Sequence, residues 1–423
     1  MEVGILSLKV IAFSFTQGGA AKAASRFCSI ASRFTETDCV SPGKCQSKIY
    51  GVLHFLKRLV SFACVLYFQK KSGVKCSANF FSFQPAVSAL TCRNDSLINL
   101  HWINNDTVSI FDLKKIPYAS ILTMHDEWFY CGIEHNFDIN KNFDESPYFF
   151  NNECGVKSHL SFLYYIVWKF KRNALKNRHD LVVTCPSRWL ADRARKSHIM
   201  QDCDIRVLYN PINTSVFYPR PQFHVDNERL KLGLGNRYLL IFGAIGGAKN
   251  SLKGFSELKS ALEILSKNVE IKEKLMLGIF GGKRKGLSSL HGFPVHEFGF
   301  IATEKEMAEV YSIAHVTIVP SKLEAFGQVA AESQSCATPV ISFNTSGLKD
   351  VVIDRETGFL AEAFSPGSLA EKIELIISLG NDEYQSLCSG ARSHVIEHFS
   401  NAVISRQYES IIKEQFLKKQ ETF

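Results

Sequence analysis

Two carboxylates, Glu324 and Glu332, lie eight positions apart in the segment PSKLEAFGQVAAES (320–333). The β-branched run before them predicts a strand, and the Ala-rich run that follows predicts a helix. Glu324 is then expected in the loop at the carboxyl end of a strand, where open α/β sheets bind ligands, and Glu332 on the helix. Backbone N–H groups near Phe326 and Gly327 begin this helix and favour a phosphate. The spacing indicates a site for polyol hydroxyls and a diphosphate.

A second phosphate candidate follows another predicted strand, in the loop GAIGGAKNSLKGF (243–255). Lys253 precedes Gly254 at the start of a predicted helix, where its ammonium can neutralise a diphosphate. Lys249 is the only other cation of the loop. A solvated loop lysine is the alternative for Lys253, but the presence of Glu324 in the same predicted domain favours the phosphate role.

The first predicted strand is followed by TQGGAAKAASRF (16–27), in which Gly18 and Gly19 precede an Ala-rich helix. Bare backbone N–H groups at such a turn can approach a phosphate, although glycine pairs often serve only the turn itself. The loop lacks the third glycine of the dinucleotide-binding fingerprint, so the sequence argues against a nicotinamide enzyme.

His125 ends another predicted strand, where its ring can bond a sugar hydroxyl or an acceptor. A structural histidine with satisfied hydrogen bonds is an equally good interpretation. The run CGIEHNF (131–137) with Cys154 lacks the regular spacing of zinc ligands. Asp202 and Asp204 flank one residue in a predicted turn, where Asp is common, so no metal site is expected.

Composition limits the partners of the chain. Its 49 Lys and Arg against 41 Asp and Glu leave a net charge of +8, which favours anionic ligands. No dense basic stripe with interleaved aromatics is present in the sequence, so nucleic acid is not expected. The twelve cysteines form no Cys-x-x-Cys pair, and no secretory leader is recognisable at the N-terminus, so a reducing cytoplasm is expected.

The segment YGVLHFLKRLVSFACVLYFQKK (50–71) is apolar except for basic residues, of which Lys57 and Arg58 lie inside it. They leave the uncharged stretch 59–68, well short of the roughly 18 residues that a membrane span needs. Core helices are commoner than interfacial ones, which favours a half-buried helix. A basic, apolar helix lying on an anionic membrane surface is the alternative.

Predicted strands alternate with helical stretches in both halves of the chain, which is typical of parallel sheets. A Pro-rich break at 210–233 separates the halves and predicts domains at 1–213 and 214–399, with a last helix at about 400–423 that packs back on the first domain. The predicted strands are 9–15, 99–104, 119–125, 181–187, 205–211, 238–244, 274–282, 315–321 and 338–343. Segments 27–95 and 136–160 show no clear period.

Together these motifs resemble the large retaining glycosyltransferase family 4, whose α/β GT-B fold has two Rossmann-like parallel-sheet domains facing across a cleft. EAFG (324–327) stands where the family has E-x-F-G, and Glu324 and Glu332 match its Glu-x7-Glu element. The resemblance covers most of the chain. The matching pieces are similar to those of family members that build colanic acid, O-antigen and related polysaccharides. The other matching pieces, in chain order, are LHWIN, IFDLKKI, TMHDEWFYCGIEH, VTCPSRWLADRAR, VLYNPINTSVFYPR and KGF.

The resemblance implies a role for each candidate residue. Glu324 contacts the donor sugar hydroxyls, Glu332 the nucleotide ribose, and Lys253 the diphosphate. His125 faces the transferred sugar. Backbone groups at Gly18, Gly19, Phe326 and Gly327 assist. The chain lacks the basic residue that the family usually carries before the lysine, which leaves Lys249 as its nearest substitute.

The expected function is metal-independent, retaining transfer of a sugar from a nucleotide-diphosphate donor to a lipid-linked or oligosaccharide acceptor. No cofactor is expected besides the donor, which is a substrate. The expected location is cytoplasmic, with peripheral contact to an anionic membrane at the inner face of the plasma membrane. The alternatives are a nucleotide-sugar epimerase and a nucleotide-sugar-binding partner without turnover.

Overall fold

The protein is described by a computed structural model that covers residues 7–16, 18–44, 48–68, 75–91, 96–137, 162–243, 251–282 and 286–421. The chain divides into two compact units. The first comprises Met1–Pro211 together with Ile404–Phe423, and the second comprises Ile212–Val403. Each unit is built around its own largely parallel β-sheet.

The sheet of the first unit has six strands in the described residues, in the order β2-β1-β3-β4-β5-β6, and all neighbours are parallel. The strands are β1 (Ser7–Ala12), β2 (Thr37–Val40), β3 (Ser96–His101), β4 (Ile121–Thr123), β5 (Val182–Cys185) and β6 (Asp204–Val207). The helices before the second unit are α1 (Gly19–Ala31), α2 (Lys48–Phe68), α3 (Gln84–Thr91), α4 (Phe162–Leu175) and α5 (Arg188–Lys196).

The second sheet has seven strands in the described residues, in the order β13-β12-β11-β7-β8-β10-β9, and only the β9–β10 pair is antiparallel. The strands are β7 (Tyr238–Gly243), β8 (Leu275–Phe280), β9 (Ser289–Leu290), β10 (Phe293–Gly299), β11 (Val316–Val319), β12 (Val340–Phe343) and β13 (Gly358–Ala361). The helices are α6 (Gln222–Lys231), α7 (Phe255–Leu265), α8 (Val269–Lys274), α9 (Glu304–Ile313), α10 (Gln328–Ser335), α11 (Leu348–Val351), α12 (Pro366–Ser378) and α13 (Asn381–His398).

The predicted α/β architecture with two parallel sheets is confirmed. Every strand predicted from an apolar run is present, although most are shorter than the run itself. The strands without a prediction have weaker patterns: β2 and β13 have four residues each, β9 has two, and β10 (FPVHEFG) contains Pro, His and Glu. Edge and near-edge strands of this kind carry little hydrophobic periodicity.

The last helix, α14 (Asn401–Gln420), completes the core of the first unit. The Tyr408 ring is fully buried and packs edge-on against Phe27, with 5.0 Å between ring centroids. Its hydroxyl accepts a 2.6 Å hydrogen bond from the Asn99 side chain. At the surface, Arg206 binds Glu414 of the helix at 2.7 Å. Apolar burial and polar contacts therefore both attach α14 to the first unit.

Helix α2 differs from the favoured expectation of a half-buried helix. Twelve of its large apolar side chains are exposed, and within Ile49–Phe68 only 17% of the 18-residue apolar window is buried. By length and composition alone, Ile49–Phe68 could also cross a membrane, and in the part of the chain that the structure describes it is the only helix that could. The expectation was wrong because it was based on how common core helices are, and the few buried side chains of α2 leave most of its apolar surface exposed.

Replacing Tyr408 by Ala should destabilise the first unit by about 3–5 kcal/mol, because it removes a buried ring and leaves a cavity. Tyr118, which is 50% exposed in the same unit, provides the matched control, and its change to Ala should cost less than about 1 kcal/mol. Urea unfolding followed by circular dichroism measures both. Equal losses for the two variants would contradict the assignment of α14 to this core.

Candidate active site

Three loops of the second unit meet at the carboxyl edge of its sheet. They follow β7, β11 and β12, which are adjacent and parallel, so all three strands end at the same edge. The Lys322 N–H donates to the Leu252 carbonyl at 2.8 Å, and the Gly347 N–H donates to the Glu324 carbonyl at 2.9 Å. These bonds join the loops into one surface at the edge where such sheets bind ligands.

Lys253 and Glu324 form an ion pair on this surface. The Lys253 Nζ lies 2.5 Å from Glu324 Oε1, with side chains 37% and 20% exposed. The backbone N–H of Glu324 donates to the Ser346 hydroxyl at 2.9 Å, which fixes the loop beneath the carboxylate. The structure therefore brings together the two charged residues that the sequence placed in separate loops.

Two glycines permit the close approach of these loops. Gly254 adopts a left-handed φ of +66°, and a Cβ there would lie 1.7 Å from the Pro320 carbonyl oxygen. A Cβ on Gly347 would lie 2.5 Å from the Ala325 carbonyl oxygen. Because neither backbone can move away without breaking the loop contacts, side chains are excluded at both positions.

The N-terminus of α10 opens on the same loop. Gly327 is its N-cap residue and no side chain caps the helix, and its first turn has no acidic residue. Phe326 is buried and packs edge-on against Phe399, with 5.2 Å between centroids, which anchors the loop before the helix. N–H groups at the start of such a helix, together with its dipole, favour an anion.

Glu332 lies further along α10 and is only 5% exposed. The Tyr311 hydroxyl of α9 lies 3.5 Å from its Oε2 atom. Two of the candidate groups, Glu324 and Lys253, are thus more accessible than Glu332, which lies in a protein environment that can hold its carboxylate in a fixed orientation.

A further cation, Lys322, was not identified from the sequence. Its Nζ binds Glu257 of α7 at 2.6 Å, while its backbone bonds to Leu252. Burial would raise the pKa of Glu257, but the hydrogen bonds from Lys322 and Ser256 outweigh it and lower that pKa. Lys322 could have been identified from the sequence as a candidate, since it lies two residues before Glu324 in the same predicted loop.

Lys249 lies outside the described residues, as does Cys154. Among the described residues, no group of three or more His, Cys, Asp or Glu side chains is placed to hold a metal ion. Asp202 accepts a hydrogen bond from the Asn177 N–H at 3.1 Å, and Asp204 pairs with Arg206. Both aspartates of the predicted turn thus have protein partners.

In the first unit, Gly18 caps α1 with a φ of +92°, and Gly19 is the first residue of the helix. This loop follows β1, as predicted. The His125 candidate follows β4 and is partly buried. Strands β1 and β4 flank β3 in the sheet, so these candidates belong to the same carboxyl edge of the first sheet.

His125 has a second histidine as its partner. Its Nε2 lies 3.0 Å from Nδ1 of His101, the last residue of β3. Burial lowers the pKa of His125 to about 4 against the opposing effect of Asp126, and burial with His125 nearby lowers the pKa of His101 well below its usual value. Both rings are neutral at pH 7. The sequence indicated His125 but not this pair, although β3 and β4 both lead to a histidine.

The next residue, Asp126, holds a buried polar network. Its Oδ2 accepts from Trp102 Nε1 at 2.6 Å and lies 2.6 Å from His135 Nδ1. The His135 Nε2 in turn lies 2.8 Å from the Ser77 hydroxyl. Burial would raise the pKa of Asp126, but His135 and the other donors lower it. The network holds the backbone next to His125 in place.

The sequence of the second unit matches a known family. Residues 234–394 match the family model for glycosyl transferases group 1. The chain is 29% identical over 200 residues to a D-inositol 3-phosphate glycosyltransferase of Nocardiopsis dassonvillei, covering 44% of this chain and 46% of that protein. It is 27% identical over 270 residues to the capsular polysaccharide biosynthesis glycosyltransferase CapM of Staphylococcus aureus, covering 62% and 68%. The chain spans about half the length of the D-inositol 3-phosphate glycosyltransferase.

Solved structures resemble both units. Sucrose-phosphate synthase from Thermosynechococcus elongatus matches with a TM-score of 0.63 and 18% identity, covering 98% of this chain and 100% of the other. Anabaena HepE in complex with UDP-glucose matches with a TM-score of 0.62 and 15% identity, covering 97% and 100%. At these identities the matches show the fold. The chain therefore has the GT-B fold, and its residues 234–394 match the family model for glycosyl transferases group 1.

Proposed function

We propose that this protein is a retaining family 4 glycosyltransferase that moves a sugar from a nucleotide-diphosphate donor to a lipid-linked or growing glycan acceptor. The observation that carries the proposal is the Lys253–Glu324 pair beside the uncapped N-terminus of α10. A cation, a carboxylate and a helix N-terminus on one surface match the three chemical parts of the donor's reacting end: diphosphate, sugar hydroxyls and the oxygen that joins them.

The pair can bind a donor without being taken apart. A lysine ammonium has three N–H donors, and Glu324 accepts only one of them in the structure. The others can reach phosphate oxygens, while the second carboxylate oxygen accepts from sugar hydroxyls. Glu332, further along the same helix, is proposed to accept from the ribose, and the N–H groups at Phe326 and Gly327 are proposed to bind phosphate.

Transfer breaks the bond between the sugar and the diphosphate, so negative charge grows on the departing phosphate oxygen. We propose that Lys253 and the N-terminus of α10 stabilise that charge, which would lower the barrier more than it strengthens donor binding. We propose that these groups, with Lys249, replace a divalent metal ion. Glu324 holds the sugar in a reactive position.

On the first unit, Gly18, Gly19 and His125 are proposed to contact the diphosphate and the transferred sugar. His125 is neutral at pH 7 because burial lowers its pKa to about 4, so it can exchange hydrogen bonds with hydroxyls without adding a charge. A role in surface polysaccharide biosynthesis is supported by the likeness to CapM, a capsular polysaccharide biosynthesis glycosyltransferase. We further propose a lipid-linked acceptor, a product such as lipopolysaccharide, and a cytoplasmic location at the membrane.

The reaction is tested by incubating the purified protein with a panel of nucleotide sugars chosen by thermal shift, with and without lipid-linked acceptors. Release of nucleoside diphosphate that requires acceptor is expected, and the transferred sugar should keep the anomeric configuration that it had in the donor. Conversion of the nucleotide sugar to an epimer would contradict transfer and identify the protein as an epimerase. Binding of the nucleotide sugar without any product would identify it as a binding partner without turnover.

Glu324→Gln should lower kcat by about a hundredfold or more, because the change removes a charge aimed at the transition state. Glu332→Ala should mainly raise the donor KM, since a ribose contact is made before and during the reaction alike. Steady-state kinetics separates the two effects. Near-normal turnover in Glu324→Gln would contradict its role, and a change in kcat alone would contradict that of Glu332.

Lys253→Ala should impair both donor binding and turnover, since its ammonium meets phosphate charge that increases during the reaction. Lys249→Ala provides the comparison in the same loop. Donor binding by calorimetry and single-turnover rates are measured for both. If Lys249→Ala causes the greater loss, the diphosphate is bound on the other side of the turn.

Chelation should leave transfer intact, because the proposed diphosphate site neutralises charge with lysines and helix N-termini. The assay is run in excess EDTA and again with magnesium or manganese added. Loss of activity in the chelator with rescue by either ion would contradict the proposal.

A further inference from the structure

Helix α2 contacts the other residues that the structure describes along one narrow face. Among its described side chains, His54, Ser61 and Val65 are buried, and Arg58 lies between them in sequence. These positions are three to four residues apart, so they lie on one side of a helix with about 3.6 residues per turn. The side of α2 that faces the first unit is therefore defined by four residues.

Three of these four side chains are polar. The Ser61 hydroxyl donates to Asp106 at 2.8 Å, and the Arg58 guanidinium lies over the Phe13 ring, 4.9 Å from its centroid. Burial, with the charges of Arg58 and Lys57, lowers the pKa of His54 to about 4, so its buried ring is neutral. The inward face of α2 thus carries the polar groups that a surface helix normally turns to water.

The outward face is apolar. On a helical wheel turning about 100° per residue, the half opposite His54 and Ser61 holds no charged residue between 49 and 67. Its large apolar side chains are 48–84% exposed. They are Ile49, Val52, Leu53, Phe55, Leu56, Leu59, Val60, Leu66 and Tyr67. An ordinary surface helix has its apolar face inward and its polar face outward, and α2 has the reverse arrangement. An exposed apolar patch of this length marks an interaction surface.

The charges of α2 indicate which kind of partner its apolar face binds. The helix carries basic residues and no acidic one, and Lys57 is exposed at the border of the apolar face. The chain has a net charge of +8. A second copy of this helix would bring basic groups together, whereas anionic lipid offers both an apolar interior and a negative surface.

The same contacts argue against a transmembrane span. Ser61, near the middle of α2, is bonded to Asp106 of the first unit. A crossing helix would carry Lys57, Arg58 and this contact towards the hydrocarbon centre, where charged groups are costly. A helix lying in the interface keeps Lys57 at the head groups and the inward face on the protein.

We propose that α2 lies in the surface of an anionic lipid bilayer, with the apolar face defined above inserted among the acyl chains. The inference is independent of the proposed transfer reaction, because it depends only on the exposure and charge of this helix. It identifies the part of the first unit that meets the membrane.

The test uses the full-length protein and vesicles of phosphatidylcholine with or without phosphatidylglycerol, in a flotation assay without any sugar donor. Leu56→Glu/Leu59→Glu places two charges on the exposed apolar face and should lower the partition coefficient on anionic vesicles by at least about tenfold. The matched control is Phe223→Glu/Leu230→Glu, which changes two exposed apolar residues of the second unit. It should bind as the wild type does.

Lys57→Gln should weaken binding to anionic vesicles while leaving binding to neutral ones unchanged. Thermal unfolding of each variant shows that the fold is intact, as expected for exposed positions. Wild-type protein that binds neither vesicle would overturn the proposal. A dimer broken by Leu56→Glu/Leu59→Glu would overturn it in favour of a second copy. Binding that resists extraction by alkaline carbonate would overturn it in favour of a span. If lipid binding is normal and transfer is absent, only the proposed function fails.

Discussion

The parallel pairing of β7, β11 and β12 determines where the charged residues of the second unit lie. Parallel strands end at the same sheet edge, so the loops after them must converge whatever their sequences. The close approach at Gly254 and Gly347 then brings the backbones of these loops into contact. The Lys253–Glu324 pair is a consequence of that geometry, since its members are 71 positions apart in the chain.

Much of this arrangement was predictable because the central strands are β-branched, apolar and bounded by loops with recognisable chemistry. Glu324 and Lys253 could be placed at strand ends from the sequence alone. Their direct contact could not, because it depends on the order of strands in the sheet, which a single sequence does not specify. The role of Lys322 was missed for the same reason, since its partner Glu257 belongs to the helix after a different strand.

The first unit was less predictable. The His101–His125 contact joins the ends of neighbouring strands, and the network from Trp102 to Ser77 involves residues without a regular period. For α2, the apolar composition was clear but the direction of its faces was not. Helical periodicity cannot show that the polar residues His54 and Ser61 turn inward, because that choice is made by Asp106 and other groups distant in sequence.

The return of α14 to the first unit affects the order in which the protein can fold during synthesis. Ile212–Val403 is one continuous stretch and can leave the ribosome complete. The first unit cannot close its core until Tyr408 and its neighbours have also been made, although most of that unit is synthesised earlier. The N-terminal sheet must therefore wait with part of its apolar surface uncovered while the entire second unit is translated.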